Sequence, residues 1–155
     1  MQIYFAGPLF CDAERAFNLR LTEILEARGF QVFLPQRDGI ESKKLPYSEM
    51  VNDELQQAIF KLDRDKVLQT DIFLFVLDGR VPDEGACVEL GIAYGQKHLL
   101  QQDKLLIGLH TDMRGAFPGG KLNAMINGAL DYTTADEKEL LAEIEAYRSA
   151  RKARV

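Results

Sequence analysis

Six consecutive apolar residues, Ile72-Phe73-Leu74-Phe75-Val76-Leu77, constrain this chain more than any other stretch. Such a run with no polar interruption reads as a strand buried on both faces. A strand of that kind needs a covering layer on each side, and helices that connect parallel strands supply it. The rest of the chain fits this demand. Gln2 to Ala6 reads as a short buried strand that Gly7-Pro8 turns out of. Asp12 to Arg28 places Phe17, Leu21, Ile24 and Leu25 at helical spacing, and Gly29 stops the helix. Gln31 to Pro35 is a second strand, and the polar stretch Gln36 to Leu45 is expected to be a mobile loop. Pro46 to Leu68 predicts a long helix with an apolar stripe of Leu55, Ile59, Phe60, Leu62 and Val67. Further strands are predicted at Asp71 to Leu77, Lys104 to His110 and Ala129 to Tyr132. A short turn or helix spans Asn123 to Gly128, and Glu137 to Arg151 forms the last helix.

This alternation predicts one domain over residues 1–155. Its class is α/β: a flavodoxin-like, Rossmann-like three-layer sandwich with a five-stranded parallel sheet of order 2-1-3-4-5 and helices on both faces. In that order ligands bind at the carboxyl ends of strands 1 and 3, where the winding reverses. The loops there are Gly7 to Phe10 and Asp78 to Gly85.

Composition narrows the partners. Nineteen basic against 24 acidic residues leave a net charge of −5, which argues against nucleic acid and anionic membranes as partners. No apolar run reaches membrane-spanning length and no leader precedes the first strand, so a cytoplasmic protein is expected. Cys11 and Cys87 have no metal spacing, and His98 and His110 lack a third partner, so no metal site is expected. Gly115 to Gly120 is not a phosphate loop, because Gly120-Lys121 is followed by Leu122.

The helix after the long apolar strand is small-sided: Gly85, Ala86, Cys87, Gly91, Ala93 and Gly95. Glu89 sits in its second turn, facing Gly85, Ala86, Ile92 and Ala93 on a helical wheel. A carboxylate beside such small residues is either a solvated charge or has room kept next to it for a ligand. Carboxylates around a small-residue cleft suit glycosidic chemistry, in which one ionised acid attacks the anomeric carbon and another handles the leaving group's proton. Glu89 is then the nucleophile, with Asp63 and Asp83 serving the leaving group and Tyr4 orienting Glu89. Plainer readings stand beside these. Asp83 suits a helix N-cap, Asp63 lies between Ile59 and Val67 at the edge of a stripe, and Tyr4 suits a core.

The combination of IYFAGPLF (Ile3 to Phe10), Asp63 eight residues before Asp71, DEGACVELGIAYG (Asp83 to Gly95) and LNAM (Leu122 to Met125) resembles the nucleoside 2-deoxyribosyltransferase family. The resemblance implies that Glu89 forms a covalent deoxyribosyl-enzyme, Tyr4 orients it, and Asp63 and Asp83 face the base. It implies substrate contacts from Gly7, Phe10, Gln36 and Gly85. Met125 is a further implied substrate contact, and Asn123 would reach the sugar from a neighbouring subunit, so the implied state is a homo-oligomer with shared sites. The implied substrates are 2′-deoxynucleosides and free nucleobases, with no metal or organic cofactor, in a nucleoside salvage role. The alternatives are an N-glycoside hydrolase of 2′-deoxynucleosides or their 5′-monophosphates, and a non-catalytic nucleotide-binding module. Phosphate-binding hydrolases resembling this chain carry a GSxRGG-like first loop and a serine six residues before the glutamate. Here those places hold Gly7-Pro8-Leu9-Phe10 and Asp83.

Overall fold

Alternate residues of each central strand point to opposite faces of a sheet, and in this chain both sets are apolar. A computed structural model describes residues 1–41, 45–79, 81–112 and 122–154. The Gly115–Gly120 segment and part of the expected Gln36–Leu45 loop lie outside the described residues. The elements are β1 (Gln2–Ala6), α1 (Asp12–Ala27), β2 (Gln31–Phe33), α2 (Pro35–Asp38), α3 (Asn52–Gln69), β3 (Ile72–Val76), α4 (Glu84–Leu99), β4 (Leu105–Leu109), α5 (Ala124–Ala129), β5 (Tyr132–Thr134) and α6 (Glu137–Lys152). All neighbouring strands pair in parallel, in the order β2-β1-β3-β4-β5. This is the order the sequence predicts.

The alternation sorts the core into two layers. Ile3, Phe5, Ile72, Leu74, Val76, Ile107 and Leu109 pack with Leu21 and Leu25 of α1 and Leu140 and Ile144 of α6. Tyr4, Ala6, Phe73, Phe75, Leu77 and Leu106 pack on the other face with Val67 of α3 and Ala86, Leu90 and Ala93 of α4. Ala86 and Ala93 are the small residues of α4 packed against the sheet, and this second face carries the acids.

Several boundaries differ from the sequence expectation. β2 ends at Phe33, and Pro35 starts a short helix where a loop was expected. Pro35 sits in the first turn, where a missing N–H costs nothing, and Asp38 Oδ2 accepts the Leu34 N–H at 2.8 Å. The long helix begins at Asn52, not Pro46, after a 3₁₀ turn at Tyr47–Glu49 and an extended Val51. Asp53 and Glu54 favour a helix N-terminus there. Its stripe is only partly covered: Val67 is buried, but Ile59 is 37% and Phe60 50% exposed. β5 is Tyr132–Thr134 instead of Ala129–Tyr132. Ala129 still belongs to α5, and the β-branched Thr133 and Thr134 pair with Gly108 and Leu109.

Candidate active site

Tyr4 occupies the middle of β1 and is fully buried. The parallel register sets Phe33 of β2 on one side and Phe73 of β3 on the other. Their rings stack on Tyr4 with centroids 5.5 and 5.7 Å away. This aromatic row aims the Tyr4 hydroxyl at α4, where Oη donates to Glu89 Oε1 at 2.6 Å. Burial, then the charges of Glu89 and Asp63, push the Tyr4 hydroxyl far above its ordinary range, so it remains a donor at any working pH.

Glu89 is pushed up from 4.5 to about 7. Burial is the main cause; the Tyr4 hydrogen bond opposes it, and Asp63 and Asp83 reinforce it by repulsion. Asp63, on α3, is pushed up from 3.8 to about 6 by burial. Asp83 caps α4, its Oδ1 accepting the Ala86 N–H at 2.8 Å. The cap commits one carboxylate oxygen, so capping and a role toward Glu89 coexist. A Cβ at Gly85 would stand 3.2 Å from that same oxygen, so glycine keeps the space beside Asp83 open.

The first loop runs along the rim. Gly7, at φ +153°, lets the end of β1 approach β3, and a Cβ there would stand 2.9 Å from Val76 Cβ. Phe10 is 75% exposed. It lines a cleft of about 280 Å³ with Pro8, Asp78, Val81, Pro82 and Asp83. Asp71 and Asp78 serve the scaffold. Asp71 accepts the Gln2 N–H at 2.8 Å and pairs with Arg151, while Asp78 accepts the N–H groups of Thr111 and Asp112.

Of the residues singled out from sequence, Tyr4, Asp63, Asp83 and Glu89 form one electrostatic cluster; Gly85 lies beside Asp83, and Phe10 lines the same cleft as Asp83. Gln36 turns toward α1: its Nε2 donates to the Arg15 carbonyl at 2.8 Å and its Oε1 accepts from Asn18 at 3.1 Å. Asn123 caps α5 through Oδ1, and Met125 beside it is 82% exposed. No described contact joins either to Tyr4 or Glu89. Phe33, Phe73, Glu14 and Asn18 escaped the sequence reading. The signals were present, as aromatic residues at equivalent strand positions and as a polar Asn18 on the buried side of α1. Among the described residues no cluster suits a metal ion, and no helix is long and apolar enough to cross a membrane.

The comparisons bear on the family and the fold. A family model described as nucleoside 2-deoxyribosyltransferase matches residues 3–141. A conserved protein from Enterococcus faecalis V583 is 26% identical, with a TM-score of 0.77 over 94% of this chain and 98% of that one. A 2-deoxyribosyltransferase from Bacillus psychrosaccharolyticus is 24% identical, with a TM-score of 0.68 over 90% of each chain. A CMP N-glycosidase from Clostridium botulinum shares the fold at 20% identity, with a TM-score of 0.58 over 95% of this chain and 99% of that one. No curated protein matches the sequence at a significant level.

Proposed function

The chain belongs to the nucleoside 2-deoxyribosyltransferase family, and on that premise we propose that it moves 2-deoxyribose between nucleobases by a retaining double displacement. The observation that carries this reading is the 2.6 Å hydrogen bond from Tyr4 Oη, in the middle of β1, to Glu89 Oε1 on α4. A binding module has no use for a buried carboxylate held in one rotamer by a dedicated donor.

In the first step a Glu89 carboxylate oxygen attacks C1′ of a 2′-deoxynucleoside. The C1′–N bond breaks, its electron pair stays on the base, and the departing nitrogen takes a proton from the acid pair Asp63 and Asp83. The product is a deoxyribosyl ester of Glu89. In the second step a ring nitrogen of an incoming base attacks C1′ from the opposite face. The ester C–O bond breaks, Glu89 returns as a carboxylate, and the base's proton passes to the acid pair. Two inversions retain the configuration. The chemistry needs no metal or organic cofactor, and the absent 2′-hydroxyl makes the oxocarbenium-like transition state easier to reach. Tyr4 holds Oε1 and so aims the other oxygen. The raised value of Asp63, about 6, brings its protonated form closer to neutral pH than an ordinary aspartate's.

An unphosphorylated nucleoside suits this cleft. The amides of Phe10 and Cys11, which would cradle a phosphate, already donate to Glu14 Oε2 at 2.7 and 2.9 Å. Asp83 would repel the phosphate dianion. In the proposed assembly, a homo-oligomer, Asn123 of one subunit reaches the sugar in a neighbour's site.

Incubation with deoxyinosine and free adenine tests the reading. Deoxyadenosine is the expected product. Hypoxanthine without exchange would replace transfer by hydrolysis, and binding with neither product would make the protein a sensor. Glu89→Ala should abolish turnover, and substantial residual exchange would remove Glu89 from the nucleophile's role.

A further inference from the structure

One buried amide joins three segments at the rim of the cleft. Asn18 lies on the core side of α1 and is 2% exposed. Its Nδ2 donates to the Pro8 carbonyl at 2.8 Å and to Gln36 Oε1 at 3.1 Å. Gln36 in turn donates to the Arg15 carbonyl, which ties α2 back to α1. The Pro8 end of the first loop therefore hangs on one side chain that water cannot replace.

The remaining ties run along the same loop. Arg15 Nη1 donates to the Leu9 carbonyl at 3.1 Å, and Glu14 takes the Phe10 and Cys11 amides. The backbone is braced at residue after residue, yet the Phe10 ring it carries is exposed. A rigid backbone under an uncovered aromatic ring is a pre-organised platform, which lowers the ordering cost when a flat ligand stacks on it.

We propose that Asn18 is a positioning residue for base recognition: through the Pro8 carbonyl and Gln36 it fixes the Gly7–Phe10 loop so that Phe10 presents a stacking face to the nucleobase. This rests on the deoxyribosyl-transfer reading, and it makes Gln36 a brace for the loop.

The test compares the full-length protein with Asn18→Ala, Gln36→Glu and Gln36→Leu. Asn18→Ala should raise KM for deoxyinosine about tenfold, equivalent to the loss of a typical buried hydrogen bond, while kcat stays within about threefold. The deoxyinosine Kd, measured in a Glu89→Gln background, should weaken in parallel. Amide exchange at Phe10 and Cys11 should accelerate. Gln36→Glu keeps an acceptor for Asn18 and loses only the Arg15 tie, so its KM should fall between parent and Asn18→Ala. Gln36→Leu removes both ties from the surface side and should raise KM even if Asn18→Ala does not fold. A general loosening would lower kcat and leave the KM-against-kcat split unmoved, which would overturn the proposal. So would parental KM and Kd in folded Asn18→Ala. Absence of exchange in the parent defeats the transfer reading instead. An essential Glu89 with a parental Asn18→Ala defeats only this inference.

Discussion

Replacing Glu89 by glutamine should make the protein more stable at alkaline pH, although it removes the nucleophile. The folded carboxyl sits at about 7 against an ordinary 4.5, so the folded state binds its proton more tightly than the unfolded state. Between those values the folded state carries more protons, and stability falls as pH rises. Below about 4.5 both states are protonated and the residue exerts no pH-linked penalty; above about 7 the penalty is complete. A rise of that size, at 1.36 kcal/mol for each pH unit, corresponds to about 3 kcal/mol. That figure already includes the opposing Tyr4 hydrogen bond, and partial exposure of Glu89 to water reduces it. Glutamine keeps an acceptor for Tyr4, removes the buried charge and ends the repulsion from Asp63 and Asp83. The expected gain at about pH 8.5 is therefore roughly 1–3 kcal/mol, shrinking toward zero by about pH 4.5.

Urea unfolding of parent and Glu89→Gln at the two pH values reads this directly as a difference in extrapolated stability. The pH dependence of the difference is the diagnostic quantity, because a packing change would shift both pH values alike. A Glu89→Gln protein destabilised equally at both would refute the reasoning, and so would an advantage that grows toward acid. Either result would mean that burial does not disfavour the Glu89 charge.

Two further tests address the neighbours of Glu89. Tyr4→Phe removes the one hydrogen bond that holds the Glu89 value down, so the acidic limb of kcat/KM should move to higher pH and turnover at neutral pH should fall by about 10–100-fold. A limb that stays in place would show that Tyr4 packs without orienting. Asn123→Ser keeps an N-cap oxygen for α5 but withdraws the amide, so mixing inactive Glu89→Ala with impaired Asn123→Ser subunits should restore activity above either alone. No recovery after verified subunit exchange would mean that each site is complete within one chain.

The sheet was legible because both faces of its central strands are apolar and helical patterns alternate with them, a combination that a covered parallel sheet satisfies. Ile72 to Val76 is buried at every position, and the order of strands followed from chain order and connection handedness. The acids were legible for a different reason: Glu89 among glycines and alanines is a local anomaly. Residues whose meaning depends on a distant partner were not legible. Periodicity marks Ile59 and Phe60 as apolar, but it does not say whether a neighbour covers them, and in this chain they stay exposed. Gln36 has a suitable sequence position for a base contact, but its hydrogen bonds to Arg15 and Asn18 come from partners that no sequence pattern names. The Tyr4–Glu89 pair, 85 residues apart, was an exception that the sequence did suggest, but the stacking of Phe33 and Phe73 that directs the Tyr4 hydroxyl was not legible.

The raised values of Glu89 and Asp63 make a further demand on the cycle. Both carboxyls are held up in the free site, to about 7 and about 6, so near neutrality a proton is still partly held between them. Attack on C1′ needs Glu89 ionised, while departure of the base needs a proton on its partner acid. Substrate must select that arrangement. A ring nitrogen that accepts a hydrogen bond stabilises a protonated acid beneath the base, and the polarised C1′ stabilises ionised Glu89. The acidic limb of kcat, which reports the bound enzyme, should therefore lie below that of kcat/KM, which reports the free enzyme. Parallel pH profiles of the two constants with deoxyinosine and adenine measure the separation. Coincident limbs would mean that substrate does not redistribute the proton, and a kcat limb above that of kcat/KM would mean that the sugar deepens the burial of Glu89 instead of stabilising its charge.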